Sequence, residues 1–267
     1  MKKQGIFGES ILRRQVEEMG KGKCVAVLVA LFLSVFTEWF VGNGGEAEMH
    51  LERKVYCNQN GRNDIQVFYP QICGIGDDGK EECINTIIKE DALKQVRGEL
   101  LLFRKLIHEL DYEVKFLNGE LVSIVYEGYY GTYGGRLPPT AFTTTVDITG
   151  EKLLKLKDVV TDLEILGEML LEDRFENVTM WDGMKGDATV GESYSKRKDE
   201  LFVLLQAEEW DMIGSNVSWY TDGAHFVILL DEGLTYNEFS IDISEVEDIL
   251  DKGFLEKLDS GDERTKE

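Results

Sequence analysis

The stretch LVSIVYEGYYGTYGGRLPPTAFTTTVDITG, residues 121–150, decides the fold. Residues 121–126 place alternate side chains on opposite sides, which predicts a strand with one face buried and the other exposed to water. Residues 140–148 are rich in Thr, Phe and Val and predict a second strand. The glycines and prolines between them favour turns. We therefore predict a β-hairpin over residues 121–149, and nothing in it is a catalytic signature.

The residues before this hairpin predict an earlier pair of strands. Residues 53–57 and 64–69 have the composition of strands, and Asn60-Gly61 between them favours a tight turn. Pro70 is expected to end the second strand, because proline has no N–H to donate to a neighbouring strand.

A helix and a second hairpin turn are predicted between the two pairs of strands. Apolar residues recur every three to five positions over residues 81–96, which predicts a helix there. Residues 112–117 alternate in the manner of a strand. The dipeptide Asn118-Gly119 then favours a tight turn that leads into the stretch described first.

The C-terminal half predicts helices and three further strands. Thr161, with Glu164 three residues later, predicts a helix N-terminus, and residues 196–209 predict another helix. Ser244 is expected to cap a short helix that runs to residue 250. The predicted strands cover residues 216–220, 225–230 and 238–243.

These elements predict an α+β protein, in which antiparallel sheets built from hairpins carry helices on one face. We divide it into two α+β subdomains, residues 51–155 and 156–252, followed by a loose polar tail over residues 253–267. Residues 1–23 are a short leader, cytoplasmic or upstream of the true start, and residues 42–50 are a glycine-rich linker.

Residues 24–41 form an apolar segment that follows two lysines, and two interpretations of it remain open. In the first it is a cleaved secretory signal, with Gly45 and Ala47 before the cut and Met19 as an alternative start. In the second it is an uncleaved membrane anchor with the basic residues inside. Either interpretation places the rest of the chain outside the cytoplasm, secreted or anchored by this single segment.

The charge of the chain limits its partners. Asp and Glu number 51 and Lys and Arg 29, so the formal net charge is −22. Nucleic acids and anionic lipid surfaces require clustered basic residues, so both are excluded as partners. Long-range attraction instead favours a cationic partner.

Cys57, Cys73 and Cys83 lie after the apolar segment. In an oxidising compartment we predict a disulfide between Cys73 and Cys83, which flank a short loop, and a free thiol at Cys57. The chain has no Cys-x-x-Cys pair and three histidines, so the sequence predicts no zinc site, no other metal and no cofactor.

The tyrosines of the 121–149 hairpin are the best candidates for ligand binding. Tyrosine and arginine are enriched where surfaces bind partners, and aromatic rings also stack on sugars. The alternative is that some of these rings pack the sheet. The candidates are Tyr126, Tyr129, Tyr130, Tyr133 and Arg136.

The sequence predicts no enzyme, since no set of catalytic residues can be assembled from it. No serine lies in a Gly-x-Ser-x-Gly context, and no glycine-rich phosphate loop precedes a helix. His108-Glu109 begins a zincin-like string, but the residue that would be the second ligand is Tyr112. Paired carboxylates such as Glu208-Glu209 are typical of a solvated surface, and His225 is expected to be structural.

Three segments resemble a known extracellular module: VFYPQICGIGDDGKEECIN, EGYYGTYGG with PPTAFTTTVDITGEKLLKLKDVV, and WYTDGAHFVILLDEG with FSIDISEVEDIL. The module is that of RsiV-type anti-sigma factors, which sense lysozyme outside the cell. It also resembles the non-catalytic N-terminal part of some peptidoglycan deacetylases. The likeness covers residues 55–250. Two features depart from the family. The run Arg136-Leu137-Pro138-Pro139, which has no histidine, stands where a His-Pro pair is usual, and a longer insert rich in Tyr and Ala is replaced by residues 234–237.

The resemblance implies an exported or membrane-anchored binding or sensing module of a bacterial cell envelope. Its implied ligand is a cationic, lysozyme-like protein or a cell-wall glycan such as peptidoglycan. An anti-sigma role needs a folded cytoplasmic segment, and residues 1–23 are short for one. The alternative function is that of an accessory or hydrolase domain of an enzyme directed at the cell wall.

Overall fold

The computed structural model describes residues 49–59, 63–94, 96, 106–132, 135, 137–179, 190, 198–206, 216–231 and 235–260. These residues form the predicted α+β fold, with ten strands in two sheets and six α-helices. The predicted leader and the segment interpreted as signal or anchor lie outside these ranges. Among the described residues, no helix is both long enough and apolar enough to cross a membrane.

The first sheet has six strands, arranged in the order in which they occur in the chain. Neighbouring strands are antiparallel except β2 and β3, which run parallel because a helix connects them across one face of the sheet. The hairpin predicted over residues 121–149 is confirmed as β4 and β5. The strands are β1 (His50–Gln59), β2 (Asp64–Cys73), β3 (Leu106–Leu117), β4 (Leu121–Thr132), β5 (Pro139–Asp147) and β6 (Lys152–Leu153).

Helix α1 (Asp78–Ala92) confirms the helix predicted over residues 81–96, with an earlier start and an earlier end. It begins after Asp77, whose carboxylate accepts hydrogen bonds from the backbone N–H groups of its first turn. Its apolar face packs on the first sheet, where a cluster of buried side chains includes Ile84 and Ile88. The Asn85 amide exchanges two hydrogen bonds with the backbone of Ile72, which fixes the helix to the end of β2.

The second sheet is built from the C-terminal half and has the order β7-β10-β9-β8, antiparallel throughout. The three strands predicted there are confirmed as β8 (Asn216–Thr221), β9 (His225–Asp231) and β10 (Tyr236–Asp242). A two-residue strand, β7 (Glu176–Asn177), adds the edge. The helices of this half are α2 (Leu156–Val159), α3 (Leu163–Leu171), α4 (Lys198–Gln206), α5 (Ile243–Val246) and α6 (Lys252–Asp259).

The two sheets stack, because β5 contacts β8, β9 and β10 and β4 contacts β8. Each sheet carries helices on its outer face: α1 on the first sheet and the C-terminal helices on the second. The strands at the centre of the stack are consequently buried on both faces. The prediction that β4 has one face exposed to water is therefore wrong, since Ser123 and Val125 are 0% and 1% exposed.

Several predicted element ends are corrected by the structure. Strand β2 continues through Pro70 to Cys73. The proline is tolerated because the pairing of β2 with β3 ends at Val67, so that Pro70 has a neighbouring strand, β1, on one side of β2. Asp162 caps α3 in place of Thr161, whose hydroxyl donates to the backbone of Ile249.

At the C-terminus Asp242 caps α5 in place of Ser244. The tail expected to be loose from residue 253 begins with helix α6, because Phe254 is buried against Trp219 with their ring centroids 5.5 Å apart. The division into two subdomains stays a prediction.

Candidate binding cleft

A cleft of about 600 Å³ lies where the two sheets meet beside β3. Strands β3 and β4 line it from the first sheet, and β8, β9 and β10 line it from the second. A β-bulge in β3, at the register shift between Val114 and Phe116, redirects the strand at this point. The lining residues are Glu113, Lys115, Glu127, Arg174, Glu176, Val178, Tyr220, Asp222, His225, Val227, Glu238, Ser240, Ile241, Asp242 and Glu245.

The cleft is strongly acidic. Seven of its lining residues are Asp or Glu, and two are Lys or Arg. A concave site lined by one sign of charge concentrates the field, because its protein walls have a low dielectric constant. The arrangement therefore attracts cations and disfavours anionic ligands.

Tyr220 and Glu238 form the deepest polar contact of the cleft. The Tyr220 hydroxyl donates to Oε2 of Glu238 over 2.6 Å, and Glu238 is 7% exposed. Burial raises the pKa of Glu238, and the nearby charges of Glu127 and Glu113 add to the rise, whereas the Tyr220 hydrogen bond opposes it. Burial and the Glu238 charge likewise raise the pKa of Tyr220. Glu238 is thus a buried hydrogen-bond acceptor, and little water surrounds its negative charge.

A second tyrosine–glutamate pair connects the sheets. The hydroxyl of Tyr236, on β10, donates to Oε1 of Glu127, on β4, over 3.2 Å. Burial raises the pKa of Tyr236, and the charges of Glu127 and Glu238 raise it further. The two pairs therefore share one electrostatic environment, in which the charge of the Glu127 carboxylate raises the pKa of both Tyr236 and Glu238.

Lys115 already places a cation at the cleft. Its Nζ lies 2.6 Å from Oε2 of Glu113 and 5.8 Å from the ring centroid of Tyr220. An ammonium group over an aromatic face is attracted by the ring quadrupole. A ligand cation at this position can contact the same two groups, the Glu113 carboxylate and the Tyr220 ring.

The turn between β8 and β9 forms part of the cleft wall. Asp222 accepts hydrogen bonds from the backbone N–H groups of Ala224 and His225, and its carboxylate lies 3.0 Å from Nδ1 of His225. Burial acts to raise the pKa of Asp222, but these hydrogen bonds and the His225 ring lower it overall. Gly223 has a φ of +92°, a conformation that favours glycine. The turn thus holds the ionised carboxylate of Asp222 in a fixed position in the cleft wall.

The tyrosines predicted from the sequence do not share one surface. Tyr126 is fully buried and stacks on Phe142 at 4.8 Å between centroids, so its ring is inaccessible to a ligand. Tyr130 is half-buried with its ring 6.2 Å from that of His108. Tyr129 is 39% exposed on the opposite face, where it contributes to the raised pKa of Tyr236. The other two candidates, Tyr133 and Arg136, lie outside the described residues.

The three cysteines after the apolar segment are free thiols in the structure. Cys83 is close to Glu151, whereas Cys73 is close to Glu52 and Glu81. The thiols of Cys73 and Cys83 thus have different neighbours and are not joined in the structure, and their disulfide in an oxidising compartment stays a prediction.

One group of side chains among the described residues has the composition of a metal site, which the sequence did not predict. It consists of His50, Glu52 and Cys73 at the end of the β1–β2 pair. One donor atom from each of the three side chains lies within 4.8 Å of the other two.

Comparisons with known proteins give a likeness to solved structures, two of which follow. No family model matches the chain, and no curated protein matches it. A DUF3298 family member from Bacteroides fragilis has a TM-score of 0.49 and 11% identity, covering 81% of this chain and 100% of its own. A DUF3298 family protein from Pseudomonas aeruginosa has a TM-score of 0.46 and 14% identity, covering 80% and 97%. DUF3298 is a domain of unknown function, so a function has to be argued from the cleft itself.

Proposed function

We propose that the protein is a non-enzymatic binding or sensing module that receives cationic groups of its partner in the cleft between the sheets. The observation that carries the proposal is the acidic lining, seven carboxylates against two basic side chains. A lysine or arginine side chain entering the cleft gains long-range attraction and contacts with acceptors already in place. It also meets the ring of Tyr220.

Glu238 gives a reason why binding is favourable. Its charge is destabilised by burial and by the neighbouring carboxylates, as the direction of its pKa shift indicates. A ligand cation relieves this repulsion, because it places a positive charge where the protein has a surplus of negative charge. The chain's net charge of −22 extends the same attraction over long distances.

We further propose that the module faces outward from a bacterial cell envelope, exported or anchored by residues 24–41. The support is the apolar segment behind its lysines and the resemblance to the modules of RsiV-type anti-sigma factors and peptidoglycan deacetylases. A basic, lysozyme-like protein fits the cleft by charge. A cell-wall glycan such as peptidoglycan is the other envelope ligand to test, through stacking on exposed rings such as Tyr129.

The test is a titration of the purified full-length protein with lysozyme and, separately, with soluble peptidoglycan at low and moderate salt. We expect saturable lysozyme binding that weakens as salt rises, because the attraction is screened. Replacing two exposed cleft carboxylates, Glu113→Gln with Glu245→Gln, is expected to weaken binding by about tenfold. The matched control is Glu164→Gln with Glu168→Gln, which removes the same charge from the exposed side of α3.

The comparison of the cleft variant with the control variant distinguishes binding in the cleft from attraction to the overall negative charge of the protein. Equal loss in the cleft and control variants would show that lysozyme responds to net charge alone and would contradict the cleft as the site. Absence of binding to lysozyme would remove it as the partner. In that case a binding response to peptidoglycan, lost in Tyr129→Ala, would redirect the proposal to the glycan.

The alternative function, an accessory or hydrolase domain acting on the cell wall, is favoured by one observation. A buried carboxyl with a raised pKa in a cleft is a common property of general acids, and Glu238 has it. Incubation with soluble peptidoglycan and analysis of the fragments decides between the functions. We expect no turnover; turnover that Glu238→Gln abolishes would replace the binding proposal with the enzymatic one.

A further inference from the structure

The β1–β2 pair brings three different metal-binding side chains to one place. His50 and Glu52 are two residues apart on β1, so both side chains project from the same face of the strand. Cys73, the last residue of β2, is the direct cross-strand partner of His50. Opposed residues of an antiparallel pair have their side chains on a common face, which is why the imidazole, the carboxylate and the thiol converge.

The spacing of the donor atoms suits a tetrahedral ion. Zn²⁺ binds His nitrogen, carboxylate oxygen and Cys sulfur at about 2.0–2.3 Å, which places neighbouring ligand atoms about 3.5 Å apart. The donors of His50, Glu52 and Cys73 lie within 4.8 Å of one another. Small side-chain rotations bring the donor atoms to the spacing that zinc requires, because His50 and Glu52 are exposed and Cys73 is half-exposed.

The surroundings of Cys73 also favour a dication. The carboxylates of Glu52 and Glu81 both lie near its thiol. Glu81 is held nearby, since its Oε2 accepts a hydrogen bond from the backbone N–H of Gly74 over 2.9 Å. A divalent ion is stabilised by these carboxylates, and its own charge stabilises the thiolate.

Lys54 is the competitor at this site. Its Nζ lies 2.6 Å from Oε2 of Glu52, so one carboxylate oxygen is already engaged by a cation. The other oxygen of Glu52 offers a ligand atom without breaking this contact. The lysine nevertheless reduces the affinity for a second cation, because the two positive charges repel.

We propose that His50, Glu52 and Cys73 form a zinc-binding site with three protein ligands and one open coordination position. The mixed set of imidazole, carboxylate and thiolate donors matches the borderline-soft character of Zn²⁺ and is too soft for Mg²⁺ or Ca²⁺. The site lies on the β1–β2 pair and none of its residues lines the acidic cleft, so it does not depend on the proposed function.

The test uses the reduced full-length protein and Co²⁺ as a spectroscopic substitute for zinc. Binding at the site is expected to give a thiolate-to-cobalt charge-transfer band that stoichiometric Zn²⁺ removes. Cys73→Ser is expected to abolish the band, and His50→Ala or Glu52→Gln to weaken Zn²⁺ binding by at least about tenfold. Cys57→Ser is the matched control, because Cys57 lies on the same strand with its side chain on the other face.

Two further measurements keep the proposal open to refutation. Bound Zn²⁺ is expected to protect Cys73, and not Cys57, from alkylation, as peptide mass spectrometry reads out. Lys54→Met is expected to tighten Zn²⁺ binding, because it removes the competing cation. The absence of a charge-transfer band in the wild-type protein, or an unchanged band in Cys73→Ser, would overturn the site. Circular dichroism of each variant shows whether the fold is kept.

Discussion

The two faces of β4 differ, although one strand provides both. One face carries Val122, Ile124 and Tyr126, which are fully buried in the cluster beneath α1. The other face runs from Ser123 through Val125 to Glu127, and it changes along its length from a buried polar contact to the wall of the cleft. The first face serves stability, and the second serves both stability and the proposed binding.

The difference shows where a site can arise in a stack of two sheets. Against helix α1, the side chains of β4 are fully buried in an apolar cluster. Against the second sheet, close packing at Val125, Tyr220 and Val227 gives way within a few residues to a cleft. The cleft therefore borders directly on the packed core, and the substitutions below measure how much each of these regions contributes to stability.

The largest effect is expected from Tyr126→Ala on the core face. Removing a fully buried aromatic ring that stacks on Phe142 is expected to lower the free energy of unfolding by about 3–5 kcal/mol. Urea unfolding followed by circular dichroism measures the change. Tyr129→Ala, at a 39% exposed position of the same strand, is the control and is expected to change it by less than about 0.5 kcal/mol.

The next effect is expected where β4 approaches β3 most closely. A Cβ at Gly128 would lie 1.8 Å from the backbone oxygen of Glu109, an atom that cannot move away without disturbing the strand pair. Gly128→Ala is expected to destabilise the protein by about 2–3 kcal/mol in the same urea experiment. Gly79→Ala in α1, whose Cβ would make an ordinary 3.4 Å contact, serves as the control; a similar loss there would contradict the steric explanation.

A smaller effect is expected from the polar contact between the sheets. Ser123 Oγ lies 2.8 Å from Thr145 Oγ1 and accepts a hydrogen bond from the backbone of Thr221. Ser123→Ala is expected to cost about 1–2 kcal/mol, because buried groups lose their partner. Replacing both hydroxyls, Ser123→Ala with Thr145→Val, is expected to cost less than the sum of the single changes. Strict additivity in this double-mutant cycle would show that the contact carries no energy.

The smallest effect is expected in the pH dependence of stability. An ordinary glutamate titrates near 4.5, and burial raises the pKa of Glu238 in the folded protein. The folded state therefore holds this proton more tightly than the unfolded state, so stability falls as pH rises from about 4.5 through the folded pKa. The loss is at most about 1.4 kcal/mol per pH unit for one proton. Urea unfolding at several pH values measures this loss, and Glu238→Gln is expected to remove the contribution of Glu238 to it. Identical pH profiles of the variant and the wild-type protein would contradict this assignment.

Much of the fold was predictable because its signals are local. The strands β4 and β5, the turn at Asn118-Gly119 and helix α1 each follow from residues close together in the chain. The burial of Ser123 was not predictable in this way. It depends on Thr221, 98 residues away, and a polar residue in an alternating pattern normally indicates solvent.

The cleft was harder to predict for the same reason. Tyr236 and Glu127 are 109 residues apart, and nothing in either local sequence identifies the other as a partner. The closely spaced tyrosines of the central hairpin are the stronger local signal for a binding site. Strand alternation separates them, since Tyr126 and Tyr130 have even positions and Tyr129 an odd one. The sequence did not reveal this separation, because the glycines after Tyr126 favour turns, whereas in the structure β4 continues to Thr132.

The parallel pairing of β2 and β3 has a consequence for the order of folding. Strands β3, β4 and β5 follow one another closely in the chain, so they can pair early at a small entropic cost. The pairing of β2 with β3 requires the connection through α1 to be completed first. Until then the free edge of β3 is a template for other chains. We therefore expect helix α1, through the Asn85 hydrogen bonds to Ile72, to protect the refolding protein from aggregation as well as to stabilise its final state.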